Sequence, residues 1–84
     1  MTETTASSIT VEELRARLRR AQAEIGSEGH FSVTFYQQQG GGCSIMHWTR
    51  PEGAEVETCE EVGHGTLGAC LEALERYVEA RRRR

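Results

Sequence analysis

The chain has no lysine, no asparagine and no aspartate, a single proline and a single tryptophan. All ten basic residues are arginine and all thirteen acids are glutamate. This uniformity reads first as the codon bias of a GC-rich genome rather than as chemistry. Without lysine, the run Gly40-Gly41-Gly42 cannot work as a phosphate-gripping loop, which also needs a helix N-terminus directly after it. No apolar run approaches the roughly 20 residues of a membrane span. Residues 1–8 are polar and lack the apolar stretch of a secretory signal, so the expected location is the cytoplasm. Cysteines number three, an odd count, with no C-x-x-C spacing. That excludes a disulfide framework and fits reduced thiols.

With 84 residues the chain forms one domain with a modest core. Its net charge of −3 is unevenly distributed. Residues 1–26 are neutral, residues 27–62 carry six glutamates against one arginine, and residues 63–84 carry five arginines against three glutamates. The middle of the chain is therefore acidic and its end basic. An acidic balance opposes phosphate binding, which draws most of its affinity from cationic side chains.

Residues 1–8 have no periodicity and read as a disordered leader before a single domain over 9–80 and a basic tail over 81–84. Thr10-Val11-Glu12-Glu13 fits a capping box, with Ile9 and Leu14 as a hydrophobic staple. Val11, Leu14, Leu18, Ala21 and Ile25 then share one helical stripe, and Gly26 can end it. Glu13–Arg17 and Arg20–Glu24 are spaced as i,i+4 pairs on the outer face. Phe31, Val33 and Phe35 alternate with polar residues as a half-buried strand. Residues 37–42 form a long, mobile turn, and a second strand covers 43–49. Arg50-Pro51-Glu52-Gly53 is a hairpin turn with Pro51 at its second position. A third strand is expected over 54–60. A three-residue loop pairs Trp48 with Val56 and Met46 with Thr58 on the core face, and His47 with Glu57 on the other. Residues 61–65 connect to a second helix capped by Thr66, with Leu67, Cys70, Leu71, Leu74, Tyr77 and Val78 as its apolar arc. That helix should fray near Arg81.

Two singly striped helices and a sheet with one apolar face have one economical packing. The predicted fold is α+β, α-β-β-β-α, a three-stranded antiparallel meander with both helices on one face. This order resembles the double-stranded-RNA-binding domain. Residues 31–80 are also similar to the HicB antitoxin family and its relatives among small phage-encoded proteins. The likeness rests on a meander followed by the helix entry Gly65-Thr66-Leu67-Gly68-Ala69-Cys70-Leu71-Glu72-Ala73-Leu74. The HicB resemblance implies a protein-binding antitoxin role. The RNA-binding resemblance implies a basic cluster at the start of the second helix, but this chain has Gly65 to Ala69 there.

The residue types that carry chemistry do not assemble into a recognisable site. A zinc site from Cys43, His47, Cys59 and His64 fails because Cys43 and His47 sit about 13 Å apart along one strand. No segment offers the oxyanion hole that a Cys–His nucleophile needs. No cofactor, metal or catalytic residue is expected, and the chain is read as a non-enzyme. What remains is the open sheet face, expected to show Ser32, Thr34, Tyr36, Ile45, His47, Thr49, Glu55, Glu57 and Cys59. Tyr36, Ile45, His47, Glu55 and Glu57 are the candidate protein-binding residues. They would suit a protein partner bound by a small phage or mobile-element protein, as an inhibitor of a host defence complex or a toxin-neutralising partner. The alternative is a divergent RNA-binding module using Arg81, Arg82, Arg83 and Arg84. An edge strand or an exposed Ile45 could also support a homodimer.

Overall fold

The computed structural model describes residues 9–26, 28–37 and 41–82. Helix α1 spans Val11–Glu24, strands β1 His30–Phe35, β2 Cys43–Thr49 and β3 Thr58–Gly65 follow, and helix α2 closes the chain over Leu67–Arg82. The expected leader over 1–8, part of the glycine turn (38–40) and Arg83 and Arg84 lie outside the described residues.

Helix α1 starts where its sequence says it should. The Thr10 hydroxyl accepts from the Glu13 N–H at 3.0 Å, while the Glu13 carboxylate accepts from the Thr10 N–H at 2.8 Å. Both bonds of the capping box therefore form, satisfying two donors that a helix start leaves unpaired. Gly26 follows the last turn at φ +82, a conformation open to glycine. In α2 the Thr66 hydroxyl accepts from the Ala69 N–H at 3.1 Å. The helix runs on through Arg81 to Arg82 and does not stop where fraying was expected.

The strands pair in the order β1-β2-β3, antiparallel throughout. Both helices lie on one face. Leu18, Ala21 and Ile25 of α1 meet Leu67, Cys70, Leu74 and Val78 of α2 over Phe31, Val33, Cys43, Ile45 and Val62 of the sheet. Val11, expected in the buried stripe, is instead exposed.

Strand β2 presents the opposite face to that expected. Ile45 is 0% and His47 2% exposed beneath the helices, whereas Trp48 and Met46 point away. Two contacts set this parity. The Tyr36 N–H donates to the Gly42 carbonyl at 3.0 Å, so Phe35 pairs with Cys43, Val33 with Ile45 and Phe31 with His47. Paired residues share a face, and β1 carries its apolar residues inward. The second contact is the close seat of α2. A Cβ on Gly63, opposite Ile45, would lie 2.8 Å from the Ala73 Cβ and 3.2 Å from the Cys70 Cα. That layer accepts Ile45 but leaves little depth for an indole ring.

The second hairpin is longer than expected. Strand β3 begins at Thr58, pairing Thr58 with Thr49 and Cys59 with Trp48. Glycine at 53 does take the left-handed conformation, at φ +85, but the Ala54 N–H donates to the Pro51 carbonyl at 2.9 Å, so Pro51 opens the turn. Val56 is left 67% exposed in the loop. Residues 61–65, read as a connection, belong to the strand. Between Ile45 and Met46 the register shifts, leaving Val62 as the extra residue of a bulge. The bulge carries Val62 toward the core, where it packs.

Candidate protein-binding face

The face of the sheet away from the helices is built by alternation. Pairing places His30, Ser32 and Thr34 of β1 beside Trp48, Met46 and Ser44 of β2, and these beside Cys59, Glu61 and His64 of β3. Trp48 is its centre. The indole N–H donates to the Ser32 hydroxyl at 2.8 Å. The His30 ring lies parallel to the indole within 8°, centroids 6.3 Å apart. Glu57, arriving from the β3 side, approaches His30 at 3.8 Å on the far strand. Indole, imidazole and carboxylate thus form a fixed shelf across all three strands. At the other end the Tyr36 hydroxyl donates to the Ser44 hydroxyl at 3.2 Å, its ring 5.9 Å from that of His64. His64 in turn approaches Glu61 at 3.5 Å.

Five glutamates, Glu52, Glu55, Glu57, Glu60 and Glu61, fall within ten residues that contain no arginine, and all five are exposed. Glu57 and Glu61 belong to the open face, while Glu60, paired with His47, lies on the other. Helix α1 is the counterpart of this acidic stretch. Arg15, Arg17, Arg19 and Arg20 form no ion pair with any described residue. The expected i,i+4 pairs are absent because Glu13 is occupied by the capping box and Glu24 faces Arg82 at 3.6 Å.

The candidate residues separate accordingly. Tyr36 and Glu57 do lie on the open side, and Glu55 is exposed in the β2–β3 loop. Ile45 and His47 do not reach a surface, so neither an Ile45-mediated dimer nor an exposed His47–Glu57 pair is available. Glu57 pairs with His30 instead. Of the four arginines of the tail, Arg81 is 18% exposed with its guanidinium held by Glu28 at 2.8 Å, and Arg82 faces Glu24 and Glu79 at 3.6 Å each. Cys43 and His47 face the helices while Cys59 and His64 face away, so these four cannot share a metal ion. Among the described residues no group of three His, Cys or Glu side chains could hold one.

His47 belongs to a buried polar cluster. Its Nε2 lies 2.8 Å from the Glu28 carbonyl, which can only accept, so Nε2 carries a proton. Its Nδ1 lies 2.6 Å from the Tyr77 hydroxyl, which also accepts from Arg81 Nη1 at 3.1 Å. Phe31 stacks on the imidazole at 4.7 Å. With Nε2 carrying the proton, the Tyr77 hydroxyl donates to Nδ1. Burial pushes the Tyr77 phenol up, opposed by Arg81 and reinforced by Glu60 and Glu28. The hydrogen bond to Glu28 raises the Arg81 guanidinium further. The cluster ties α2 to β2 and to the segment entering β1. His47 itself is buried with both ring nitrogens partnered by protein groups, so the cluster works as a fastening.

Nearby, Cys43 and Cys70 are both buried with sulfurs 3.2 Å apart, and the Cys70 thiol also donates to the Cys43 carbonyl at 3.3 Å. Burial first, then Cys43 and Glu61, push the Cys70 thiol up to about 12. It is a thiol at neutral pH and a poor nucleophile.

Comparison of the chain with protein-family models, curated proteins and solved structures finds no match. No helix among the described residues is long and apolar enough to cross a membrane.

Sequence reasoning placed Ser32 and Thr34 on the open face but missed His30, Met46, Trp48, Glu61 and His64. One available signal was Gly63. A glycine inside a strand pattern marks close approach of another backbone, and hence a shallow inner layer.

Proposed function

We propose that this protein is a non-enzymatic binding module whose open sheet face docks on a basic surface of another protein. The carrying observation is the pairing of a fixed aromatic shelf, Trp48 on Ser32 and His30, with the exposed carboxylates Glu57 and Glu61 on the same side. An indole held rigidly contributes contact area at small entropic cost, and flanking carboxylates select arginine- or lysine-rich partners. Two copies of this face would repel each other, which favours a foreign partner over a homodimer. A surface of this kind fits an inhibitor that sets carboxylates where a partner normally receives phosphates. Blocking a host defence complex or neutralising a toxin is the role in keeping with that chemistry. The engagement of Arg81 and Arg82 within the fold removes support from RNA binding through the tail.

The test compares the wild type with Glu57→Arg/Glu61→Arg and with Arg17→Glu/Arg20→Glu, each immobilised and challenged with cell extract. The reading expects a partner lost with the first double variant, retained with the second, and displaced by polyphosphate. Capture indifferent to the Glu57/Glu61 reversal overturns it. So does salt-sensitive duplex-RNA binding by the purified wild type.

A further inference from the structure

We propose that the free edge of β1 accepts an extended acidic peptide as a fourth strand, clasped by Arg15 and Arg19 of α1. This surface meets the open sheet face only at His30 and does not depend on its reading.

The backbone supplies the first half of the site. The Tyr36–Gly42 hydrogen bond places the hydrogen-bonded pairs of the β1–β2 ladder at alternate residues. His30, Ser32 and Thr34 therefore bond to β2, and the N–H and C=O groups of Phe31, Val33 and Phe35 point outward from the sheet. Such an edge is a template for another strand unless something guards it. The two edges of this sheet differ in that respect. Strand β3 carries Glu60 and Glu61 and a bulge. Strand β1, His-Phe-Ser-Val-Thr-Phe, has no carboxylate, arginine, proline or bulge.

The side chains supply the second half. A groove of about 230 Å³ runs between α1 and β1, lined by Arg15, Leu18, Arg19, Gln22, His30 and Phe31. Its floor is apolar through Leu18 and Phe31, and Phe35 at the far end of the strand is 57% exposed on the same face. A strand laid against β1 would cover these apolar groups with alternate side chains. Its rim is cationic, because Arg15 and Arg19 form no ion pair with any described residue. Backbone that no described residue pairs, aromatic surface that none covers and guanidiniums that none neutralises meet in one groove and select the occupant: an extended segment bearing apolar residues and glutamate or aspartate.

The test uses the full chain, isotopically labelled, titrated by NMR with a blocked heptapeptide alternating glutamate with valine and threonine. The amide signals of Phe31, Val33 and Phe35 should shift, and their hydrogen exchange should slow on binding. Replacing the peptide glutamates by lysine should weaken binding about tenfold or more, as two exposed ion pairs become repulsions. Arg15→Glu/Arg19→Glu, folded by circular dichroism, should reverse that preference. N-methylating alternate peptide amides should abolish binding without changing charge. The proposal is overturned by equal binding of the lysine peptide or by shifts confined to other surfaces. It is likewise overturned if millimolar peptide leaves the three amides unmoved. Concentration-dependent protection of those amides in the protein alone would assign the edge to a second copy of this chain instead. None of these outcomes involves Glu57 or Glu61, so failure here leaves the acidic-face reading standing, and the reverse.

Discussion

Removing one oxygen from Tyr77 should cost this domain a large part of its stability. In Tyr77→Phe the ring keeps its edge contacts with Phe31 and His47, at centroid distances of 6.3 and 5.5 Å. Arg81 keeps Glu28 at 2.8 Å. The loss falls on His47 Nδ1, which is 2.6 Å from the hydroxyl and has no other partner among the described residues, in a residue only 2% exposed. A net hydrogen bond contributes about 1 kcal/mol, and a buried polar atom left unsatisfied costs about 1–3 kcal/mol. The expected loss is about 2–3 kcal/mol, out of roughly 4–12 kcal/mol for a chain of this length. Urea unfolding followed by far-ultraviolet circular dichroism measures it; the midpoint should fall with the slope unchanged. At the thermal midpoint the same loss corresponds to a drop of about 10–20 °C. Adding His47→Leu to Tyr77→Phe should restore part of the loss, because the orphaned nitrogen is then gone. A Tyr77→Phe loss below about 0.5 kcal/mol, or strictly additive effects in the double variant, would show that the cluster does not fasten α2 to the sheet.

Gly63→Ala forces a methyl to 2.8 Å from the Ala73 Cβ and should destabilise by about 1–3 kcal/mol; Ala73→Gly in the same chain should recover part of it, measured by the same urea titration. Trp48 fluorescence in the folded protein should be quenched by acrylamide, a neutral quencher that the neighbouring carboxylates do not repel, and Trp48→Phe should cost no more than about 1.5 kcal/mol, because the ring stands outside the core; an indole inaccessible to acrylamide would contradict the observed parity of β2. An aromatic disulfide reagent at neutral pH should titrate Cys59 alone in the native protein and all three thiols in guanidinium. The Cys70 thiol is raised from its ordinary 9.0 to about 12, so the stability it confers is complete below pH 9 and is lost as pH rises from about 9 to 12. Cys70→Ala should flatten that alkaline slope, although the burial of Tyr77 leaves a further decline above its ordinary value of 10.

How much was legible in advance depended on how local the signal was. The capping box at Thr10 and Glu13, the cap at Thr66 and the left-handed Gly53 each rest on a few consecutive residues, and each formed, whereas the turn around Gly53 starts one residue later than expected. The inward stripe of β1 was equally readable, since Phe31, Val33 and Phe35 alternate with Ser32 and Thr34. Strand β2 was not. Cys43, Ile45 and His47 alternate with Ser44, Met46 and Trp48, and either set can be written as a core face. Side-chain size favours Trp48 for the inner face, but the depth available under α2 decides for Ile45. The same choice governs the site, because a β2 turned the other way would bring Ile45 and His47 to a surface they do not reach.

The residues taken alone determine the order of elements, the two striped helices and the separation of an acidic middle from an arginine-rich helix and tail. These follow from propensity, periodicity and capping, which act over a few positions of chain. Only the tertiary structure decides which side of β2 faces inward, where β3 begins, which arginines are consumed by ion pairs and which sheet edge is left open. Those outcomes depend on the pairing parity closed at Tyr36 and Gly42, on the bulge at Val62, and on the close seat of α2 at Gly63. Each is a contact between residues distant in sequence or a packing clearance, so no short stretch of chain contains the information that selects it.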